Sequence, residues 1–202
     1  MMIEAVFNLR YAGSVGYYAA MLHYGTVGFD LTERYDKHRK ALNRMDIVGP
    51  NGLTSLSASL QKPNASMRVA DVQLSEHGNW RHNHWGALFS AYGRTPFFDY
   101  FADDLKRIYD DASITTVAAL DLELHKAVVE FLDLPIETVT VNDSGWKQDS
   151  TVADMRDRQL TEDALKPYYQ IWADRHGFCD RLSILDLLFN VGREAIFALK
   201  GI

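Results

Sequence analysis

This sequence is poor in the features that most quickly place a protein. It has one cysteine, Cys179, so no intrachain disulfide can form, and the chain reads as one suited to a reducing compartment. No apolar run approaches the roughly 20 residues needed to cross a bilayer. The first ten residues, Met1 to Arg10, are short and mixed and lack a secretory pattern. Together these point to a cytoplasmic chain. Basic residues are not in excess, since the net charge is −6, which disfavours a broad face for nucleic acid while leaving room for a local basic pocket. Motifs of the form G-x-x-x-x-G-K-[ST], G-x-G-x-x-G, G-x-S-x-G and C-x-x-C are all missing, and so is any internal repeat.

What remains is ordinary material for a packed core. The chain of 202 residues is 47% hydrophobic and 12% aromatic, enough to reject disorder and to expect one domain over residues 1–202. Residues 3–9 read as a buried strand. Gly13 and Ser14 punctuate, 15–24 reads as a helix and 26–31 as a second strand, so a parallel pair joined by a crossover is expected. Residues 32–43 are charged and suit a short helix or a loop. Two strands, 45–48 and 53–60, flank Gly-Pro-Asn-Gly at 49–52, a hairpin signal, and 69–74 reads as a further strand. Helical periodicity then dominates at 79–92, 96–110 and 115–132, followed by a strand at 137–142. A polar loop is expected over 143–163, and a C-terminal helix over 182–199, broken at Val191-Gly192. The expected architecture is α/β: a mixed, partly parallel sheet with packed helices, and a helical middle and C-terminal part.

Several segments carry chemistry-bearing residues. Lys37 and Arg44, with Asn43 between them, suit an anionic group, because guanidinium offers a planar fork to carboxylate or phosphate, although a solvated charged face gives the same pattern. In the stretch 80–85, His82 and His84 are two apart and point about 200° apart on a helix, so they do not share a metal. His84 instead shares a face with Trp80 and Leu88, as a buried hydrogen-bonded histidine or as a base. The acidic pairs at 103–104 and 110–111 read as solvated surface, and no metal site is expected. Tyr168, Tyr169 and Gln170, followed by His176, suit either an aromatic-walled polar pocket or a loop on the core. Asp186 sits among leucines and is therefore half-exposed or paired. Cys179 reads as an inert thiol. Gly13 to Gly16 offers a loose phosphate cradle at a helix N-terminus.

Taken in order, these segments resemble the WbqC-like family. The match is strongest at Lys166-Pro-Tyr-Tyr-Gln170, His176-Gly-Phe178 and Leu182-Ser-Ile-Leu-Asp-Leu-Leu-Phe-Asn190. It continues through Trp80, His84-Trp85 and Thr95-Pro-Phe-Phe98, and through Tyr35-Asp-Lys37, Asn43-Arg44 and the Asn51-Gly52 turn. The resemblance implies a bacterial protein of surface-polysaccharide synthesis, including O-antigen, and a transferase-type enzyme acting on a nucleotide-linked sugar or an acyl or aminoacyl donor. It implies His84, Asp186 and His176 as catalytic groups, and Lys37, Asn43, Arg44, Trp80, Tyr169 and Gln170 around a small anionic substrate. Which cofactor it uses, if any, is open, and oligomers are allowed. The alternative is a non-catalytic binding or assembly protein of the same pathway.

Overall fold

The computed structural model describes residues 2–143, 145–156, 158 and 166–201. The apolar run after the N-terminus forms β1 (Ala5–Phe7), which is wholly buried. Ser14 then caps α1 (Val15–Leu22) by accepting the Tyr17 amide, and the chain returns as β2 (Thr26–Asp30), also buried throughout. The two strands pair in parallel, Ala5 with Val27 and Phe7 with Phe29. Continuous burial on both faces is what such unbroken apolar strands require.

Two more strands complete this sheet in the order β5-β2-β1-β6, all parallel: β5 (Glu137–Val141) beside β2, and β6 (Ala153–Asp154) beside β1. A separate antiparallel hairpin joins β3 (Arg44–Gly49) to β4 (Gly52–Ser57). Its turn is centred on Pro50 and Asn51, and the left-handed φ of 97° falls to Gly52. The mixed α/β expectation holds.

Helices cover the sheet. α2 (Trp80–Tyr92) buries Trp80, His84, Leu88 and Tyr92 on one face. α3 (Phe98–Asp110) and α4 (Val117–Phe131) pack on each other, and α4 is capped by Thr116, whose hydroxyl accepts the Ala119 amide. A short α5 (Ala173–His176) precedes the central α6 (Ile184–Val191), in which every residue from Ile184 to Asn190 is buried. A helix that is apolar around most of its circumference must be enclosed, and α6 touches α1, α2, α3 and α4. It stops at Gly192, φ 61°, where an added Cβ would stand 2.7 Å from the Phe97 ring. The chain then resumes as α7 (Ala195–Leu199).

Two expectations need correction. Residues 69–74 are not a strand: Val69–Asp71 is a 3-10 turn, and only isolated bridges at Leu74 and Gln73 tie the segment to its neighbours. The charged stretch 32–43, expected as a short helix or a loop, is loop with a 3-10 turn at Lys40–Leu42 and needs none. The polar region 143–163 is not all loop, since Gly145–Gln148 is a 3-10 turn and β6 falls within it. Residues 144, 157 and 159–163 of that region lie outside the described residues.

Candidate functional site

The sheet itself says where to look. From β1 the chain crosses to β2 on one side, whereas β6 lies on the other, so the C-terminal end of β1 is the point where the strand order reverses. Parallel sheets open a ligand crevice at such a point. A cavity of about 220 Å³ lies there, lined by Arg10, Ser14, Arg44, Asp46, Arg181 and Ser183 together with residues 11–13.

Its walls come from three distant stretches stitched by hydrogen bonds. The Tyr11 amide donates to the Ala41 carbonyl at 2.8 Å. The Val15 amide donates to Leu182 at 3.0 Å, and Ile184 to Gly13 at 2.8 Å. The Ser183 amide donates to Asp46 at 2.8 Å, and the Ser183 hydroxyl to the Ala12 carbonyl at 2.7 Å. Ala12 takes a left-handed φ of 40°, rare for a residue with a Cβ, which turns the chain sharply between β1 and α1. On the hairpin, Arg44 Nη2 donates to Ser55 Oγ at 2.6 Å and Ser55 donates on to Asp46, so one hydroxyl bridges the two charges. Arg10 lies over the Tyr17 ring at 4.7 Å. Three arginines and one aspartate thus line the crevice.

Behind the crevice lies a buried polar network. The Tyr11 hydroxyl is 2.8 Å from His84 Nδ1 and 2.8 Å from the Tyr109 hydroxyl. Burial holds the His84 imidazole down at about 4, opposed by a hydrogen bond to the Ser57 backbone, so it is neutral at pH 7. Asp121 is 1% exposed, with neither carboxylate oxygen hydrogen-bonded among the described residues, and burial pushes its carboxyl far up. His125, between the Tyr18 hydroxyl at 3.2 Å and Thr138 at 2.9 Å, is likewise held down at about 4 by burial.

The residues singled out in sequence fall into separate places. Arg44 lines the crevice; Lys37 is exposed and does not. Asn43 closes the base of the hairpin, its side-chain amide donating to Ala58 at 2.8 Å. Trp80 is buried and donates from Nε1 to Ser75 at 2.7 Å. Asp186 accepts from the Tyr168 hydroxyl at 2.8 Å, and burial pushes its carboxyl up to about 6. Gln170 clasps the Cys179 backbone from both ends of its amide, at 2.8 and 3.0 Å. His176 is exposed at the hairpin tip, 3.3 Å from the Pro50 carbonyl. Tyr169, 59% exposed, borders a different hollow of about 450 Å³ with Phe97, Lys166 and Phe197. His84, Asp186 and His176 therefore do not share one hollow, and Arg44, His84 and Tyr169 do not either. Sequence reading passed over Arg10, Asp46 and Arg181. Arg10 had a signal, because it follows a buried parallel strand directly; Arg181 had none.

Among the described residues no group of three or more histidine, cysteine or acidic side chains is placed to hold a metal ion, and no helix is long and apolar enough to cross a membrane.

A small α/β protein with a basic crevice at a parallel-sheet switch point is the class defined by this geometry. The chain belongs to the WbqC-like protein family, whose model matches residues 11–165. It is similar to the uncharacterized protein Rv1507c of Mycobacterium tuberculosis, 26% identical over 190 residues, covering 76% of this chain and 78% of that protein. No solved structure matches it.

Proposed function

We propose that this chain is a transferase-type enzyme of bacterial surface-polysaccharide synthesis, including O-antigen-like polymers. It would work in the cytoplasm on a nucleotide-linked sugar or an acyl or aminoacyl donor. The observation that carries the reading is the crevice at the end of β1, where Arg10, Arg44 and Arg181 arrive from three separate stretches and would hold the anionic part of the substrate. Ser14, Ser183 and Asp46 supply the hydroxyls and the carboxylate beside it. His84 would act through Tyr11, which lies between it and the crevice. The family resemblance supports the pathway, and the charge of the crevice supports the substrate class. A thermal-shift screen of nucleotide sugars and acyl thioesters tests it, because a ligand of the native state raises the melting temperature by mass action. A hit that vanishes in Arg44→Ala supports the reading, and a screen without hits at millimolar concentrations ends it.

The second reading is a non-catalytic binding or assembly protein of the same pathway. It is favoured by the dispersal of His84, Asp186 and His176 and by the open aromatic hollow of Phe97, Tyr169 and Phe197. Binding of a donor without turnover, under conditions where candidate acceptors are present, would select it.

A further inference from the structure

We propose that the free edge of β5 is a docking surface for a second copy of this chain, which joins two four-stranded sheets into one across a two-fold axis at Val139. The edge shares no lining residue with the crevice. The sheet order is β5-β2-β1-β6, so β5 has a strand on one side only. In a strand, successive residues turn their backbone groups to opposite sides. The Glu137 amide donates to Gly25 at 2.9 Å and the Val141 carbonyl accepts from Leu31 at 3.0 Å, so residues 137, 139 and 141 are turned toward β2. The amides and carbonyls of Thr138 and Thr140 therefore point outward, and both residues are exposed. Among the described residues no strand or bridge covers them. Edge strands are commonly guarded by proline, lysine, a bulge or extreme shortness. β5 keeps register with β2 over its whole length and holds no proline or lysine. Its one charge, Glu137, is turned toward β2, where it accepts from the Thr26 hydroxyl at 3.5 Å.

An open edge accepts another strand, and β5 matches itself. Thr138-Val139-Thr140 reads the same in both directions. Antiparallel pairing about Val139 sets Thr138 opposite Thr140 of the second copy, and Thr140 opposite its Thr138. These are the outward-facing residues, so each opposed pair exchanges both of its hydrogen bonds, and the threonine side chains meet as cross-strand pairs. A slip of one residue would set an outward-facing residue against one whose groups are spent on β2, so the register is specified. Beside the edge, a hollow of about 450 Å³ runs between α4 and β5. Leu122, Val129 and Ile136 line it, with Lys126 between Glu123 and Glu130. The two-fold axis runs the α4 helices of the two copies antiparallel on one face of the joined sheet. Half-buried Leu122 and Val129 then gain an apolar cover. A partner of one charge sign would meet like charges at this rim, whereas a second copy brings both an ammonium and carboxylates to it.

The test follows the full chain by analytical ultracentrifugation over a concentration series from micromolar to millimolar. The expected result is a dimer that dissociates on dilution and is about tenfold weaker in Thr140→Pro, which removes an outward amide and no bond to β2. Circular dichroism checks that this variant keeps the fold. A second variant gains a link instead of losing a bond. Val139→Cys, made with Cys179→Ser so that one thiol remains, sets two thiols at a non-hydrogen-bonded pair, where opposed Cα atoms stand about 4.5 Å apart, within disulfide reach. Mild oxidation should link it into a covalent dimer, whereas Arg107→Cys on the exposed side of α3, in the same background, should stay single. A chain that is monomeric at every concentration would overturn the proposal. So would a dimer that keeps its affinity in Thr140→Pro and links no faster through Val139→Cys than through Arg107→Cys, since its interface would lie elsewhere.

Discussion

Two polar regions lie back to back in this protein and obey opposite rules. The arginine crevice is open and strongly charged, and its groups are linked by a hydroxyl and by backbone bonds. The network of Tyr11, Tyr109 and His84, with Asp121 nearby, is sealed and kept neutral by burial. The difference teaches what each region can be asked to do. In the crevice a substitution at exposed Arg44 or Arg181 changes what is bound, because those side chains already reach solvent. In the network a substitution changes whether the chain folds, because an unpaired polar atom has no solvent to turn to. Tyr11 belongs to both: it lines the crevice and its hydroxyl anchors the network.

The sharpest way to break the contrast is at Tyr11. Tyr11→Ala removes a fully buried ring and should cost about 3–5 kcal/mol, read by chemical denaturation. Tyr11→Phe keeps the ring but strands His84 Nδ1 and the Tyr109 hydroxyl, and should cost about 1–3 kcal/mol. If Tyr11→Phe were neutral, the network would be ornamental to stability.

Acid titration gives the next largest effect. His84 and His125 are held down at about 4, so their neutral forms support the fold fully above the ordinary histidine range, and that support is lost as pH falls from about 6.5 to 4. Asp186, pushed up to about 6, works oppositely: the folded chain binds its proton more tightly, so its contribution is present below the unfolded carboxylate range and lost as pH rises through 6. Asp121, raised by burial, acts in the same sense as Asp186. The two pairs offset each other between pH 4 and 6, and wild-type stability should vary little there. Asp186→Asn removes one of the two carboxyls on one side of that balance. It should make stability fall more steeply from pH 6 to pH 4, and should stabilise the chain by about 3 kcal/mol at pH 8, where the wild-type carboxylate is ionised in the core. Parallel pH curves for the two proteins would refute this.

The smallest effect on stability belongs to the crevice. Arg44→Ala and Arg181→Ala should each lie within about 0.5 kcal/mol of wild type in denaturation. Their anion binding should also weaken with added salt, whereas the tyrosine network is indifferent to it.

Legibility in the sequence followed the same division. β1, α1 and β2 were readable because an unbroken apolar run, a capping serine and a second apolar run occur close together. His84 was placed on a buried face by its spacing from Trp80 and Leu88. β6 was invisible, since two residues, Ala153 and Asp154, carry no periodicity and pair only because β1 offers a free edge. Val69 to Leu74 looked like a strand by composition, but it has no ladder partner beyond single bridges, and a 3-10 turn won. The crevice was legible only in part: Arg44 stood out beside Lys37, but its companions Arg10 and Arg181 lie 34 and 137 positions away, and only the tertiary fold brings them together.

The Gln170 clasp on Cys179 has a consequence for how the C-terminal segment is retained. Both ends of one carboxamide replace a rung of sheet, so the ten-residue excursion from 170 to 179 closes on itself like a buckle without using ionic attraction. That fastening has no proton to lose and no counterion to shed. The excursion from 170 to 179 should therefore stay closed through swings in acidity and ionic strength that alter charged contacts elsewhere on the chain.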